Sequence, residues 1–316
     1  MKLSYVVPCY NSENTIELVV EEIISATKKM AQVTAYEIIL VNDSSPDDTE
    51  KVIMSLAENN PRIKALSLAK NFGQHAALLA GYHIVTGDIV VSLDDDGQTP
   101  ADETYKLLEK LDEGYDVVYA RYQEKKHKWW RNMGSKVNDK MAHVLLGKPK
   151  GLYVSSFFAA RRYVIDKVEE YPHPYPYVIG LVLRTTKHIA NVDIHHRSRV
   201  SGRSSYNMSK LVALWLNGFT AFSVKPLRIA TMVGVLCSFI GFVFGLYIII
   251  RRLANPEILM GYSSTMAVIL FIGGMLMLMI GIVGEYIGRI YISINKSPQF
   301  VIRKSSFSQK SENKEQ

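Results

Sequence analysis

The stretch DIVVSLDDDGQ, residues 88–98, joins a short apolar run to three consecutive aspartates. An apolar run of this length bounded by turn residues reads as a buried strand. The runs LSYVVP (3–8) and YEIILVN (36–42), with residues 63–69 and 116–120, read the same way, and residues 14–29, 47–59, 74–85 and 101–113 read as the helices between them. Strands alternating with helices predict an α/β domain with a mainly parallel sheet covered on both faces, and ligands of such sheets bind outside the carboxyl ends of the strands. Those ends carry Pro8-Cys9-Tyr10-Asn11, Asn42-Asp43-Ser44-Ser45 and Asp94-Asp95-Asp96-Gly97-Gln98.

Each end also has a plainer reading. Residues 42–48 make good turn and N-cap sequence, with Asp47 and Glu50 spaced as a capping box, so Asp43 alone is as readily structural as functional. Three adjacent carboxylates are harder to place structurally, because their repulsion is costly unless a cation or a donor network compensates. A hard divalent ion, Mg²⁺ or Mn²⁺, bridging Asp94, Asp96 and a diphosphate is the sharper reading. No GxGxxG follows the first strand and no GxxxxGK[ST] occurs in the chain, so dinucleotide-binding and P-loop chemistry lack their phosphate cradle.

Charge divides the 316 residues into an acidic front and a basic back. Residues 1–120 hold 9 Lys+Arg against 20 Asp+Glu, net −11; the rest hold 28 against 10, net +18. With 48% hydrophobic and 21% charged residues the chain has enough for a substantial core and about two domains, which excludes wholesale disorder or a fibrous repeat. Cys9 and Cys237 form no disulfide framework, which places the bulk of the protein in a reducing compartment. No signal peptide is expected at Met1–Tyr10. No nucleic-acid partner is expected.

The back is where the membrane reading lies. Residues 229–250 and 258–284 carry no charge, and the first spans about 33 Å as a helix, enough to cross a hydrocarbon core of about 30 Å. The expected organisation is a catalytic domain over 1–203, a juxtamembrane amphipathic helix over 204–223, two membrane spans within 224–288 (229–250 and 262–284), and a basic tail over 289–316 whose last dozen residues are disordered. An interfacial helix is expected over 127–146, where Trp130, Met133, Val137, Met141 and Val144 recur at helical spacing. Lys and Arg flanking the spans place the domain and the tail on the cytoplasmic face of a bacterial plasma membrane. His195 and His196 are expected in a strand, without the pattern of a zinc site. Gly273, Gly274, Gly281, Gly284 and Gly288 offer close-packing positions for the spans.

VVPCYN (6–11), VNDSSPDDT (41–49), residues 71–100, RSRVSGRSSY (197–206) and GIVGEYIGRIY (281–291) together resemble the polyprenyl-phosphate glycosyltransferases of glycosyltransferase family 2. These are relatives of dolichol-phosphate mannose synthase that carry a two-helix membrane hairpin, and the resemblance covers about residues 1–300. It implies a GT-A fold, a nucleotide-sugar donor with uridine as base, a polyprenyl phosphate acceptor such as undecaprenyl phosphate, Mg²⁺ or Mn²⁺, inversion at the anomeric carbon and a homotetramer. By position it implies that Pro8, Tyr10, Glu13, Asp43 and Asp95 hold the donor, that Asp94 lies near ribose and metal, and that Asp96 and Gln98 ligate the metal. Arg121, Arg131 and Ser135 match the group that grips the acceptor phosphate, and Arg199 an arginine that reaches the donor diphosphate. Two departures stand out: Ser205 replaces a lysine of the family's RxxGxSKY, beside Arg203, and VSSFFAARRYV (154–164) lacks an acidic residue often found there.

The chemistry asks little of a base. A phosphate monoester has a second pKa near 6, so the nucleophile is already anionic at neutral pH, and the remaining work is holding two anions together. The alternatives are a processive polysaccharide synthase, which would bring more spans and a QxxRW-like motif, and a non-catalytic membrane scaffold, which would have no use for Asp94-Asp95-Asp96 beside Gln98.

Overall fold

Strand residues with branched or aromatic side chains pack on both faces of one sheet, and the helices sort to either side according to which face they cover. The computed structural model describes residues 1–122, 148–149, 151–174, 176–195, 225–254, 262–295 and 297–307. The described elements run β1 (Lys2–Cys9), α1 (Ile16–Lys28), β2 (Ala35–Asn42), α2 (Thr49–Asn59), β3 (Ile63–Leu68), α3 (Gln74–Tyr82), β4 (Ile89–Ser92), a 3₁₀ turn (Ala101–Glu103), α4 (Thr104–Asp112), β5 (Val117–Tyr122) and β6 (Phe158–Arg161). They continue with α5 (Arg162–Glu169), α6 (Val178–Thr185), β7 (Ile189–Ile194), α7 (Lys225–Ala254), α8 (Tyr262–Ile294) and β8 (Ile302–Ser305). The chain divides into two units, Met1–Ser205 with Lys296–Gln316, and Tyr206–Asn295.

The first unit is built on an eight-stranded sheet in the order β7-β5-β6-β4-β1-β2-β3-β8. β1 pairs parallel with β2 and β4, β2 with β3, and β5 with β7. Alternation along β1 sends Leu3, Tyr5, Val7 and Cys9 into the core filled by Ile16, Val19, Val20 and Ile23 of α1, Ile53 of α2 and Leu107, Leu108 and Leu111 of α4. The opposite face meets α3, where a Cβ at Gly81 would lie 2.5 Å from Val6 Cγ1; only glycine lets this helix sit so close to the sheet.

Two strands depart from the sequence reading. β6 inserts antiparallel between β4 and β5, so these two do not pair. β8 is antiparallel to β3 and comes from the segment expected to be a tail apart from the domain; Ser305 ends it, and Ser306 N donates to Ala65 O at 2.9 Å, so the expected disordered dozen begins too early. The chain thus leaves the sheet after β7 at one edge and returns as β8 at the other. β7 ends at Ile194, so His195 lies just beyond a strand rather than in one, and His196 lies outside the described residues.

The second unit holds α7 and α8, both long and apolar enough to cross a membrane over Ala230–Tyr247 and Phe271–Ile294. Large apolar side chains such as Met232, Phe242, Met277 and Ile280 are exposed along them, as expected of helices whose solvent is lipid rather than water. α8 runs on to Ile294, past the expected end at 284, because Ile287, Ile290, Tyr291 and Ile294 continue the apolar pattern beyond Glu285. Gly234 of α7 lies opposite Met279 of α8, whereas a Cβ at Gly273, Gly274, Gly281, Gly284 or Gly288 would meet nothing within 4 Å among the described residues. The two expected amphipathic helices, 127–146 and 204–223, lie outside the described residues.

Candidate active site

Because β1, β2 and β4 are mutually parallel, their carboxyl ends open on one end of the sheet, with Cys9 level with Asn42 and Val6 level with Ser92. The loops that follow are tied to one another. Asn11 N donates to Ser45 Oγ at 2.8 Å, Ser12 N to Thr49 Oγ1 at 2.9 Å, Glu13 N to Asp47 Oδ2 at 3.2 Å, and Asp48 N back to Glu13 Oε2 at 2.9 Å. Glu13, rather than Glu50, therefore closes the reciprocal pair with the Asp47–Asp48 turn, and the capping box expected within 47–50 is a link between two loops. Asn11 and Ser44 have φ of 57° and 54°. Asparagine tolerates that region, but serine does so at a cost of order 1 kcal/mol or more, the kind of strain that clusters at binding loops.

Asp43 is buried, and both its oxygens are taken by backbone: Phe72 N at 2.7 Å and Gly73 N at 2.8 Å. Burial nevertheless pushes its carboxyl above the ordinary range. Asp43 thus holds the turn into α3 rather than capping the helix that follows it. Pro8 lies within β1, and Tyr10, beyond its end, is 45% exposed with its ring available to stack on a base.

The three aspartates after β4 do not point together. Asp94 accepts from Gln74 Nε2 at 2.8 Å and from Ser156 Oγ. Asp95 accepts from Tyr10 N at 2.9 Å and from Ser12 Oγ, which fastens the β4 loop to the β1 loop. Asp96 accepts from Gln98 N at 3.0 Å across Gly97, whose φ of 72° makes the turn. Burial pushes the Asp94 carboxyl up to about 6; the Ser156 bond opposes this, and the charges of Asp96 and Asp95 add to it. Burial likewise raises Asp95.

Among the described residues no three His, Cys, Asp or Glu side chains gather at metal-ligand spacing. Mg²⁺ is usually held by one or two carboxylates and completed by substrate phosphates rather than by such a cluster. A cation would offset the charges of Asp96 and Asp95, which add to the burial that lifts Asp94. Asp94, Asp96 and Gln98 are chemically suited to it; Asp95 is spent on the β1 loop.

Of the basic residues assigned to the acceptor, Arg121 is at the exposed end of β5, where Nε and Nη2 donate to Asp193 on β7 at 2.6 and 3.0 Å. Arg131, Ser135 and Arg199 lie outside the described residues. Sequence reading missed Gln74, Ser156 and Asp193, each the partner of a predicted residue. Gln74 follows Gly73 at the first turn of α3, a position from which a side chain reaches the neighbouring strand end; Ser156 and Asp193 carry no local signal, being 62 and 72 residues from the groups they contact. His195, just past β7, bonds Glu103 through Nδ1 at 2.8 Å, and Glu103 also pairs with Lys106. His75 on α3 is neutral, held down to about 4 by burial, and lies edge-on to Tyr177 at 4.9 Å.

Residues 4–169 match the profile of Glycosyl transferase family 2, and residues 225–290 match that of the GtrB C-terminal hairpin. The chain is 32% identical over 317 residues to the undecaprenyl-phosphate 4-deoxy-4-formamido-L-arabinose transferase of Yersinia pestis, covering 99% of this chain and 96% of that one. It is 33% identical to the enzyme of the same name from Proteus mirabilis, covering 96% and 93%. Among solved structures, glucosyl-3-phosphoglycerate synthase of Mycobacterium tuberculosis with phosphoglyceric acid superposes with a TM-score of 0.53 at 22% identity, over 70% of this chain and 78% of that one. The same synthase with Mn²⁺ and uridine-diphosphate-glucose gives 0.51 at 22%, over 74% and 78%. The fold is the GT-A fold, and the chain belongs to glycosyltransferase family 2.

Proposed function

We propose that the protein transfers a sugar from a nucleoside diphosphate sugar to a membrane polyprenyl phosphate, with inversion at the anomeric carbon. A phosphate oxygen of the lipid attacks that carbon. The bond from the carbon to the diphosphate oxygen breaks, and the electron pair leaves with the nucleoside diphosphate. The nucleophile is anionic at neutral pH and needs no base to deprotonate it. Uridine is the proposed base, and Tyr10, Glu13 and the Asn42–Asp48 turn, with Pro8 behind them, are the proposed nucleoside cradle. Asp94, Asp96 and Gln98 would hold a divalent ion, Mg²⁺ or Mn²⁺, which when bound supplies electrostatic stabilisation to the leaving diphosphate. Arg121, Arg131, Ser135 and Arg199 are the proposed grips on the two anionic groups.

The observation that carries this reading is the convergence of Tyr10–Glu13, Asn42–Asp48 and Asp94–Gln98 on one sheet end, joined through Asp95 and Glu13. The membrane acceptor is supported by α7 and α8 and by the relatives' names, which also point to undecaprenyl phosphate. Because β8 returns to the sheet after both apolar helices, the catalytic unit and the C-terminal segment are read on one side of the membrane, and Lys225 and Arg228 before the first helix support the cytoplasmic side. A homotetramer is part of the same proposal, checked by the mass of the detergent-solubilised particle.

The test is transfer. Detergent-purified protein is incubated with undecaprenyl phosphate, Mg²⁺ or Mn²⁺ and a panel of labelled nucleotide sugars, including the formamido-arabinose donor, with Asp96→Ala as control. Metal-dependent label in the organic phase, lost in the variant, supports the reading and names the sugar. Long aqueous polymer instead would make the protein a processive synthase, and no transfer with no nucleotide binding would overturn the assignment.

A further inference from the structure

The strand that closes the sheet follows the second apolar helix, and its register has a step. Leu66 pairs with Ser305 and Ser67 with Lys304, but Leu68 pairs with Ile302, so Arg303 is skipped. A bulge of this kind breaks the in–out alternation and re-aims the extra side chain; Arg303 and Lys304 are accordingly both exposed. The Arg303 guanidinium donates through Nη2 to Glu50 Oε2 on α2.

From there a chain of bonds runs inward. Glu50 Oε2 also accepts from Ser67 Oγ at 2.5 Å, Ser67 Oγ accepts from Asn42 Nδ2 at 3.0 Å, and Asn42 Oδ1 accepts from Ser45 N at 3.0 Å. Ser45 Oγ then accepts from Asn11 N at 2.8 Å and donates to Asp47 Oδ1. Asn42 and Ser67 are 1% and 0% exposed, so protein partners rather than solvent orient them. The strained Ser44 sits within this run, and such a conformation persists only where its surroundings over-determine it. The segment that delivers Arg303 is itself fastened: Ala69 N donates to Val301 O at 2.8 Å, Phe300 meets His83 edge-on at 5.2 Å, and Gln299 Nε2 donates to His173 O at 2.9 Å and to Tyr171 O.

We infer that Arg303 is a positioning residue for the donor nucleotide. Through Glu50, Ser67 and Asn42, the strand that follows the membrane hairpin sets the Ser44–Asp47 turn and, with it, the Tyr10–Glu13 loop. This rests on reading those loops as the nucleoside diphosphate site and adds a segment more than 250 residues away in sequence to that site's support. The effect is expected on donor binding, because among the described residues no bond of the relay touches Arg121 or its partner Asp193.

The experiment titrates uridine, guanosine, cytidine, thymidine and adenosine diphosphates with Mn²⁺ into the detergent-purified full chain, and into Arg303→Ala, Arg303→Lys and Glu50→Gln, by calorimetry. Melting temperatures and the KM values for donor and lipid phosphate accompany it. Arg303→Ala is expected to raise Kd for the preferred nucleotide about tenfold, which is about 1.4 kcal/mol. Donor KM should rise in parallel while lipid KM stays fixed, and Arg303→Lys should recover part of the loss. Glu50→Gln supplies the same comparison if Arg303→Ala does not fold. An unchanged Kd in both variants would overturn the inference and leave the bulge as edge closure alone, and a joint rise of both KM values would make the role generally structural. If the wild-type chain binds none of the five nucleotides, the reading of the site itself fails, and the positioning role with it.

Discussion

Two carboxylates lie near opposite ends of the sheet's parallel strands, Glu37 within β2 and Asp94 just beyond β4, and their surroundings drive them in opposite directions. Glu37, at the amino end of β2, is 7% exposed and accepts from Ser4 Oγ at 2.6 Å, Thr86 N at 2.6 Å, Thr86 Oγ1 at 2.7 Å and Lys64 Nζ at 2.7 Å. Burial works against its ionisation, but Lys64, Ser4 and Thr86 together overcome it and hold the carboxyl at about 2. Asp94, at the carboxyl end of β4, has one amide and one hydroxyl for partners and two further aspartates beside it, and burial with those charges lifts it to about 6. An acid surrounded by donors is a piece of the fold. Burial with two neighbouring acids disfavours the charge on Asp94, the setting in which a cation would help most.

The comparison is broken most directly at the carboxyl end. Asp96→Ala is expected to lower sugar transfer at saturating lipid by at least about a thousandfold, since it removes a holder of the charge opposite the leaving diphosphate. Its melting temperature should be at or above the wild-type value. Activity loss with an equal loss of folded protein would place Asp96 in the fold instead.

At the amino end the expectation reverses. Glu37→Gln should destabilise the catalytic unit by about 3 kcal/mol at neutral pH, because the folded-state carboxyl lies well below its unfolded value near 4.5. The sign follows: for an acid with a depressed folded pKa, the stabilisation is complete above about pH 4.5 and is lost as pH falls through about 2. Denaturation of wild type and Glu37→Gln from pH 7 to pH 2 should show the two curves converging at the acid end. Transfer per folded molecule should be unchanged.

How far the sequence foretold this contrast depends on how local each feature is. β1 to β5 and the helices between them were legible because each is a run of apolar residues with turn residues at its limits. The three strand ends were legible for the same reason, and Asp94–Asp96 stood out because three adjacent acids have no cheap structural use. β6 is four residues long, FAAR, with no period to read, and β8, IRKS, is polar because it is an edge strand, so it passes for a basic tail. The loop links escaped for a different reason. Glu50 is spaced for a capping box, and nothing near it in sequence signals that its partners are Ser67 and Arg303. Arg121 came from the family resemblance, and its partner Asp193 is fixed only when β7 pairs alongside β5.

A subtler sharpening lies at Asp94. Replacing it with asparagine keeps acceptance from Ser156 on the amide oxygen while removing one of three crowded charges. Asp94→Asn should therefore stabilise the metal-free protein by roughly 1–2 kcal/mol and depress transfer, the exchange of stability for function common at active sites. Addition of Mn²⁺ with nucleoside diphosphate should raise the wild-type melting temperature more than that of the variant. Equal shifts would remove Asp94 from the cation site.

The smallest effect is expected where the site meets solvent. Arg121 and Asp193 form a two-pronged pair, yet both are about half exposed, and an exposed pair contributes little to stability, typically less than about 1 kcal/mol. If Arg121 exists to hold the fold, Arg121→Ala and Asp193→Ala should be alike and nearly silent. If it exists to meet the lipid phosphate, the two diverge: Arg121→Ala should raise the KM for undecaprenyl phosphate about tenfold with melting temperature unchanged, and Asp193→Asn, which frees the guanidinium from a competing carboxylate, should leave that KM the same or lower. The direction of the Asp193→Asn effect decides, because a structural clamp loosens when either side is removed, whereas a binding group released from its partner is freer to bind.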